Sequence, residues 1–427
     1  MAGARPALLR DHVERASNLG CHGRDDRQSR PPPEVVLILP GAAWRARDGL
    51  DALTKVLGAA EGESRFVGGA VRDTLLGIDV ADVDIATRLP PQEVIERLQD
   101  ARIKAVPTGL AHGTITAVTA AGPVEVTTLR RDVSTDGRHA IIAYTDDWRE
   151  DAARRDFTMN ALYADPATGE IFDYFGGLDD LAARRVRFIG DPLQRIAEDH
   201  LRILRFFRFH ARFGTSIDEP GLNACTARAN DLMALSRERV ASEVLKLLVA
   251  ANAVPVVALM VERGIFRAVL PEIDAAGASR LARLAERETV AGIAPDPIRR
   301  LAMTIAPAAA EAVGARLKLS NTDRKRLIAA TAGLGNEGPR ALAYRAGMTV
   351  AIDRLLIAGE DVSPIKDWTP PSFPFSGGAL VERGLRKGPD VAAMLRQVET
   401  RWIAEGFPGA ERVAVIADEI VAEALSG

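Results

Sequence analysis

Phe66-Val67-Gly68-Gly69-Ala70-Val71-Arg72-Asp73, then Leu75-Leu76-Gly77, then Asp82-Val83-Asp84-Ile85, is the stretch whose reading decides the fold. A short strand, Arg65-Phe66-Val67, turns at Gly68-Gly69 into a helix that carries Leu75 and Leu76 and stops at Gly77. Strand residues return at Val83 and Ile85. Asp82 and Asp84, two apart on that strand, project from one face. Two carboxylates held together repel, so one protonates or both bind a cation. Mg²⁺, a hard ion that takes carboxylate and phosphate oxygens, is the natural partner. Two such ions about 3.5–4 Å apart can activate an attacking hydroxyl and stabilise a leaving phosphate. Upstream, the Gly-Gly turn bares backbone N–H groups at a helix N-terminus where phosphate can approach. Arg72 adds a charged fork for a triphosphate. An isolated Asp-x-Asp is more often a solvated surface pair, and a Gly-Gly turn alone means little. The order strand, Gly-Gly, helix with Arg, acidic strand is what carries the signal.

Outward from this stretch, the chain changes character once. A helical pattern (Trp44, Leu50, Leu53, Val56, Leu57) leads in, and a helix after Pro90-Pro91 follows. Two β-rich runs, Thr114–Thr119 and Val124–Leu129, are joined by the turn Ala120-Ala121-Gly122-Pro123. After about residue 190 strand signals vanish and Ala-, Leu- and Arg-rich amphipathic helices run to the end, interrupted by Ser363–Gly378. The expected organisation is a disordered tail at 1–34, an α/β head at 35–185, a helical neck at 186–270 and a helical body and tail at 271–427.

Composition narrows the class. Of 427 residues, 47% are apolar and 26% charged, ordinary for a globular protein. No run of about 18 apolar residues occurs, so no membrane span is expected. Cys21 and Cys225 are far apart and make neither a zinc pattern nor a disulfide framework, which fits a reducing, cytoplasmic setting. The net charge of −3 excludes a uniformly basic body, yet Arg184–Arg212 holds eight arginines against three acids, Asp191, Glu198 and Asp199.

The Gly-Gly to Asp-x-Asp segment resembles the signature of the class II branch of the polymerase-β-like nucleotidyltransferases, which comprises CCA-adding enzymes and bacterial poly(A) polymerases. That resemblance implies an α+β fold: a nucleotidyltransferase head with a mixed sheet, then an all-helical neck, body and tail. It implies that Asp82 and Asp84 are the catalytic metal ligands and that Gly69 and Arg72 contact the nucleoside triphosphate. Glu125, on the following β run, is open to two readings, a third acid facing the site or a hairpin surface residue. Arg154-Arg155-Asp156-Phe157-Thr158-Met159-Asn160-Ala161 resembles the family's ribose- and phosphate-proximal block, with Arg155 the nucleotide contact. Asp173–Leu181 resembles a third, hinge-like block, and Ser236–Leu248 a fifth that supports the preceding helix.

The fourth block is Arg195, Glu198, Asp199, Arg202, Arg205, Arg208 and Arg212. Its spacings of three and four place most members along one helix face, with Ile196, Ile203, Leu204 and Phe207 opposite. With few acids nearby to pair them, these arginines suggest contact with a polyanion. Asp199 and Arg202, one turn apart, offer an acceptor and a donor fork. Cytosine and adenine both present an amine beside an acceptor ring nitrogen, which this pair can read, whereas uracil and guanine present the reverse. By the resemblance this Glu-Asp-x-x-Arg block is the protein template, and Arg205 and Arg208 match further nucleotide-binding positions. The function expected is addition of C, C and A to a tRNA 3′ end from CTP and ATP with Mg²⁺; the alternative is poly(A) addition. The full-length Arg131–Glu150 loop, with Asp136-Gly137-Arg138 inside it, favours the first.

Overall fold

The structure, a computed structural model, describes residues 36–135, 140–385 and 388–426. The expected tail at 1–34 and Asp136-Gly137-Arg138 lie outside the described residues. The chain divides into two compact units, one ending at Val269 and the other beginning at Leu270.

Among the described residues the first unit carries nine strands: β1 (Ser64–Val67), β2 (Asp84–Thr87), β3 (Lys104–Gly109), β4 (Thr114–Thr119), β5 (Gly122–Thr128), β6 (Arg130–Thr135), β7 (Ala140–Tyr144), β8 (Leu162–Ala164) and β9 (Ile171–Asp173). Seven of them form one sheet in the order β3-β4-β5-β2-β1-β8-β9, and β6 and β7 pair separately. The β2–β5 pairing is parallel and the others antiparallel, so the sheet is mixed. Its centre is the quoted stretch: Phe66 pairs with Ile85 and Val67 with Asp84. Phe66, Ile85 and Val126 are in register and all buried, so a one-residue slip would turn this apolar set to the other face.

Local sequence explains the differences from expectation. β2 begins only at Asp84; Asp82 lies in the preceding loop rather than on the strand. The hairpin is tighter than four residues, because β5 starts at Gly122, which pairs with Thr119. β3 holds Pro107 and few large apolar residues, a pattern only an edge strand tolerates. β8 and β9 are three residues each, too short to show a period; the stretch expected as the Arg131–Glu150 loop instead carries most of β6 and all of β7, paired antiparallel.

Around the sheet lie helices α1 (Leu50–Val56), α2 (Gly69–Leu75), α3 (Pro91–Asp100), α4 (Trp148–Ala153) and α5 (Gly177–Ala182). The helical remainder of this unit is α6 (Pro192–Glu198), α7 (Arg202–Phe213), α8 (Glu219–Ala227), α9 (Arg237–Leu248) and α10 (Ala253–Glu262). The helix expected from Arg195 to Arg212 is thus two, because Asp199 is extended (φ −149°, ψ 107°). Ile196, Ile203, Leu204 and Phe207 are buried as expected. Much of the chain's small aromatic content gathers here: Phe188 stacks on Phe206 at 5.5 Å, and Phe157 meets Phe188 at 5.0 Å.

The second unit is helical, from Ala275–Ala291 to Ala410–Ser426. One core forms around Leu284, Leu342, Leu355 and Ile365, another around Val398, Trp402, Val413 and Ile416. Buried Glu288 takes Arg299 and Arg300 at 2.8 Å each, and buried Asp353 takes Arg326 at 2.8 Å, so these interior charges are compensated. Among the described residues no helix is long and apolar enough to cross a membrane.

The Asp173–Leu181 block is a structural clamp. Asp173 accepts from the N–H groups of Phe175, Gly177 and Leu178. Fully buried Asp180 accepts from Thr158 Oγ1 at 2.6 Å and from Arg185 and Arg187 at 2.7 Å. A Cβ on Gly177 would sit 2.4 Å from the Thr158 carbonyl oxygen, a contact backbone cannot relieve cheaply. Gly177→Ala is therefore expected to destabilise this unit by about 1–3 kcal/mol, read as a lower urea midpoint with an unchanged slope.

Candidate active site

Gly68 stands at the N-terminus of α2 with φ +67° and ψ −118°, a conformation that L side chains rarely adopt. Its own N–H bonds Leu162 O at 3.1 Å, which holds the turn against β8. The first N–H groups of α2 have no intrahelical partner, and Gly68 and Gly69 line a cleft of about 940 Å³. Every residue expected at the site lines this one cleft: Gly69, Arg72, Asp82, Asp84, Glu125, Arg155, Asp199, Arg202, Arg205 and Arg208.

The acids come together as a repelling set. Val83 is buried between Asp82 and Asp84, so both carboxylates fall on the cleft side although only Asp84 is in the strand. Asp84 pairs in register with Glu125 across the parallel β2–β5 ladder. Burial and the neighbouring Glu125 charge raise the Asp84 carboxyl to about 6, against the pull of Arg155 and with a further push from Asp82. Glu125 is exposed and faces the cleft, which favours the reading of a third acid over that of a bystander. Among the described residues no three acid, His or Cys side chains close into a ready-made metal cage. An all-oxygen, mutually repelling set of this kind still fits a hard divalent ion that keeps substrate phosphates as its remaining ligands.

The arginines contradict the expectation that they lack acids to pair with. Arg202 donates to Glu198 Oε2 at 2.6 Å and to the carbonyls of Arg195 and Arg154 at 2.8 Å each. Arg195 pairs with the other Glu198 oxygen. Arg205 donates to Asp156 Oδ2 at 2.7 Å, Arg208 lies 2.6 Å from Glu243, and Arg212 lies 3.3 Å from Asp73. Glu198 is local, but Asp156, Glu243 and Asp73 come from other blocks, as far as 139 residues away, so counting charges nearby in sequence misses them. Arg239, like Glu243 a residue of the fifth block, donates to Asp199 Oδ2 at 2.7 Å.

A second chain of bonds ties the turn to the base-side helix. Arg72 Nε donates to Asp73 at 2.7 Å and its Nη1 to Asn160 at 2.5 Å; Asn160 Nδ2 donates to Asp156 at 3.0 Å. Burial pushes the Asp156 carboxyl up, but Arg205 and the bonds from Asn160 and Phe157 N–H hold it below the usual carboxylate range. Arg155 is fixed by Asp151 at 3.1 Å and Tyr163 at 3.2 Å. Burial opposes the Asp151 charge, yet Arg155, Arg154 and the Tyr163 hydroxyl keep this carboxyl well below its ordinary range. Sequence reading did not single out Asp151, Tyr163, Asn160, Glu243, Arg239 or Lys246. Asp156, Asn160, Arg239, Glu243 and Lys246 lie inside blocks it quoted, and an acid or amide there was the available signal.

Donor arithmetic leaves something over. Arg202 has five N–H donors and spends three on the bonds above, leaving its Nε–H and one Nη2 hydrogen. Asp199 accepts from Arg239 and Leu201 N–H, and each oxygen keeps a lone pair. The pair is fixed by its surroundings and still able to bond.

Removing one of three repelling charges relieves strain, so Asp84→Asn is expected to leave the Tm of the metal-free protein unchanged or raise it by about 1–3 °C. A clear fall would show instead that Asp84 is held by structural partners.

Residues 64–187 match the family described as Poly A polymerase head domain, and residues 214–276 that described as Probable RNA and SrmB- binding site of polymerase A. The mitochondrial CCA tRNA nucleotidyltransferase 1 of Mus musculus and that of Homo sapiens are each 34% identical over 392 residues, covering 84% of this chain and 87% of theirs. The CCA-adding enzyme of Anoxybacillus flavithermus is 39% identical over 213 residues, 49% of this chain and 52% of its own. The crystal structure of the Bacillus stearothermophilus CCA-adding enzyme in complex with CTP superposes with a TM-score of 0.68 at 25% identity, covering 89% of this chain and 99% of that one. Nucleotidyltransferases of this type generally use a divalent metal. With the mixed-sheet head, the helical remainder and two relatives matched over most of their length, this chain belongs to the CCA tRNA nucleotidyltransferase family.

Proposed function

We propose that this enzyme adds C, C and A to the 3′ end of tRNA, and that the cleft at the Gly-Gly turn is where each transfer occurs. The observation that carries the reading is the meeting, in one cleft, of a repelling acid set with a fixed Asp199/Arg202 acceptor and donor pair. The tRNA 3′-hydroxyl attacks the α-phosphorus of CTP or ATP. A P–O bond to the hydroxyl oxygen forms as the bond to the β-phosphate oxygen breaks, and pyrophosphate and the hydroxyl proton leave.

Asp82 and Asp84, with Glu125 beside them, would hold Mg²⁺. When bound it would neutralise charge building on the transferring and leaving phosphates. The turn at Gly68-Gly69 receives the triphosphate on backbone N–H groups, and Arg72 and Arg155 present charge to it. Asp199 accepts the exocyclic amine of cytosine or adenine while the spare Arg202 donors meet the ring nitrogen. Arg205 and Arg208 line the same wall, each with its own carboxylate. Because these donors are fixed before substrate arrives, little reorganisation is needed during transfer.

We assign the head to 35–185, base recognition to the neck at 186–270 and RNA binding to 271–427. Lys246, exposed at the cleft and with no acid partner among the described residues, is placed to meet an RNA phosphate. A cytoplasmic site of action fits two distant cysteines, one of them buried and free.

The test is labelled CTP and ATP, alone and together, given to tRNA that ends before CCA. Two C residues from CTP alone, completed by one A when ATP is added, is the expected result; a long A tail without C would make the protein a poly(A) polymerase. Asp82→Ala or Asp84→Ala is expected to cost at least about 10³-fold in rate. Lys246→Ala is expected to raise KM for tRNA about 3- to 10-fold at unchanged kcat and to flatten the salt dependence by about one charge.

A further inference from the structure

The cleft arginines are held by acids, but Arg47 is not. It follows a short 3₁₀ helix, Ala43–Ala46, and has no carboxylate partner among the described residues. Its guanidinium instead reaches the Ala81 carbonyl at 2.9 Å and the Val80 carbonyl beside it. Those are the two peptides immediately before Asp82.

The base from which Arg47 reaches is rigid. Buried Trp44 donates Nε1–H to Thr74 Oγ1 at 2.8 Å, Thr74 donates to Ala70 O at 2.6 Å within α2, and the Trp44 ring meets Phe66 edge-on at 4.8 Å. The short helix is thereby fixed to β1 and to the helix that carries the Gly-Gly turn. At the far end residues 78–82 are exposed or half-buried, and only Val83, next to β2, is buried. Residues 78–83 belong to no helix or strand, and a cavity of about 740 Å³, lined by Trp44, Arg47, Thr74, Ile78 and Val80, lies beneath the loop. The planar fork bridging two carbonyls spans that gap.

We propose that Arg47 is a positioning residue for the transfer reaction: by bridging the Val80 and Ala81 carbonyls it sets the depth at which Asp82 enters the cleft beside Asp84. It touches neither substrate nor reacting atoms, and acts through the Asp82 backbone. The inference rests on the reading of Asp82 and Asp84 as the ion-holding pair, and it predicts a defect in ion binding and turnover rather than in nucleotide or tRNA affinity.

The experiment compares wild type with Arg47→Ala, Arg47→Lys and Arg47→Gln in the full chain. Arg47→Ala is expected to lower kcat about 10- to 100-fold, with KM for CTP and for tRNA within about twofold. Independently of activity, Mn²⁺ titration followed by electron paramagnetic resonance is expected to show affinity weakened about 10-fold or more. Millimolar guanidinium is expected to restore part of both in Arg47→Ala, and Arg47→Lys, a point charge without a fork, to lose less than Arg47→Gln. Should Arg47→Ala fail to fold, the Lys and Gln variants carry the same comparison. Unchanged kcat and Mn²⁺ affinity would overturn the proposal, as would a uniform loss that follows a lowered Tm and ignores guanidinium. Mn²⁺ affinity that survives in Asp82→Ala and Asp84→Ala would instead overturn the reading of the pair, separately from the role of Arg47.

Discussion

Guanidinium groups locked to carboxylates, some a turn away and some from distant blocks, set the geometry of this cleft, and the site depends on that bracing. Arg202 is held by Glu198, Arg205 by Asp156, Arg208 by Glu243, and Arg155 by Asp151. A long, flexible side chain left in water would sample many rotamers and lose entropy on meeting a nucleotide. Braced beforehand, it presents its remaining donors at fixed points. The cost is the desolvation of several charges, offset only because each ion is paired and further hydrogen-bonded.

The acid set is the opposite case. Asp84 carries a raised carboxyl because Glu125 and Asp82 face it in a partly buried place, with only Arg155 in compensation. A stable fold has no use for that arrangement on its own. It is strain kept at a functional site, and it asks for positive charge from outside the chain. The two halves of the cleft therefore differ in kind: one is satisfied and rigid, the other is left to be completed by an ion and the phosphates it brings.

What was legible in the sequence follows from the range of the interactions. The Gly-Gly turn, the start of α2 and the buried face of α7 are local, and their residues announced themselves by spacing and by glycine. The strands lost to reading were the Pro107-containing edge strand β3, the three-residue strands β8 and β9, too short for a period, and the separate β6–β7 pair inside the stretch expected to be the Arg131–Glu150 loop. The single long helix expected from Arg195 broke because Asp199 turns out of helical conformation while Arg239, forty residues on, holds its carboxylate. The pairing of the arginines was hidden for the same reason: Asp73 and Arg212 are 139 residues apart, and no count of nearby charges joins them. Arg47 gave no signal at all, since an arginine that serves two backbone carbonyls looks like any surface arginine.

The central claim is that side chains fixed by the protein itself choose the base. Calorimetric binding of CTP, ATP, UTP and GTP to the enzyme without tRNA, in wild type and in Glu198→Gln, tests it directly. CTP and ATP should bind at least about 10-fold more tightly than UTP and GTP. Glu198→Gln, which removes the charge that pins Arg202 Nη1, should narrow that gap while keeping most of the affinity for the triphosphate. Equal binding of all four by wild type, or a gap that Glu198→Gln leaves untouched, would contradict the account.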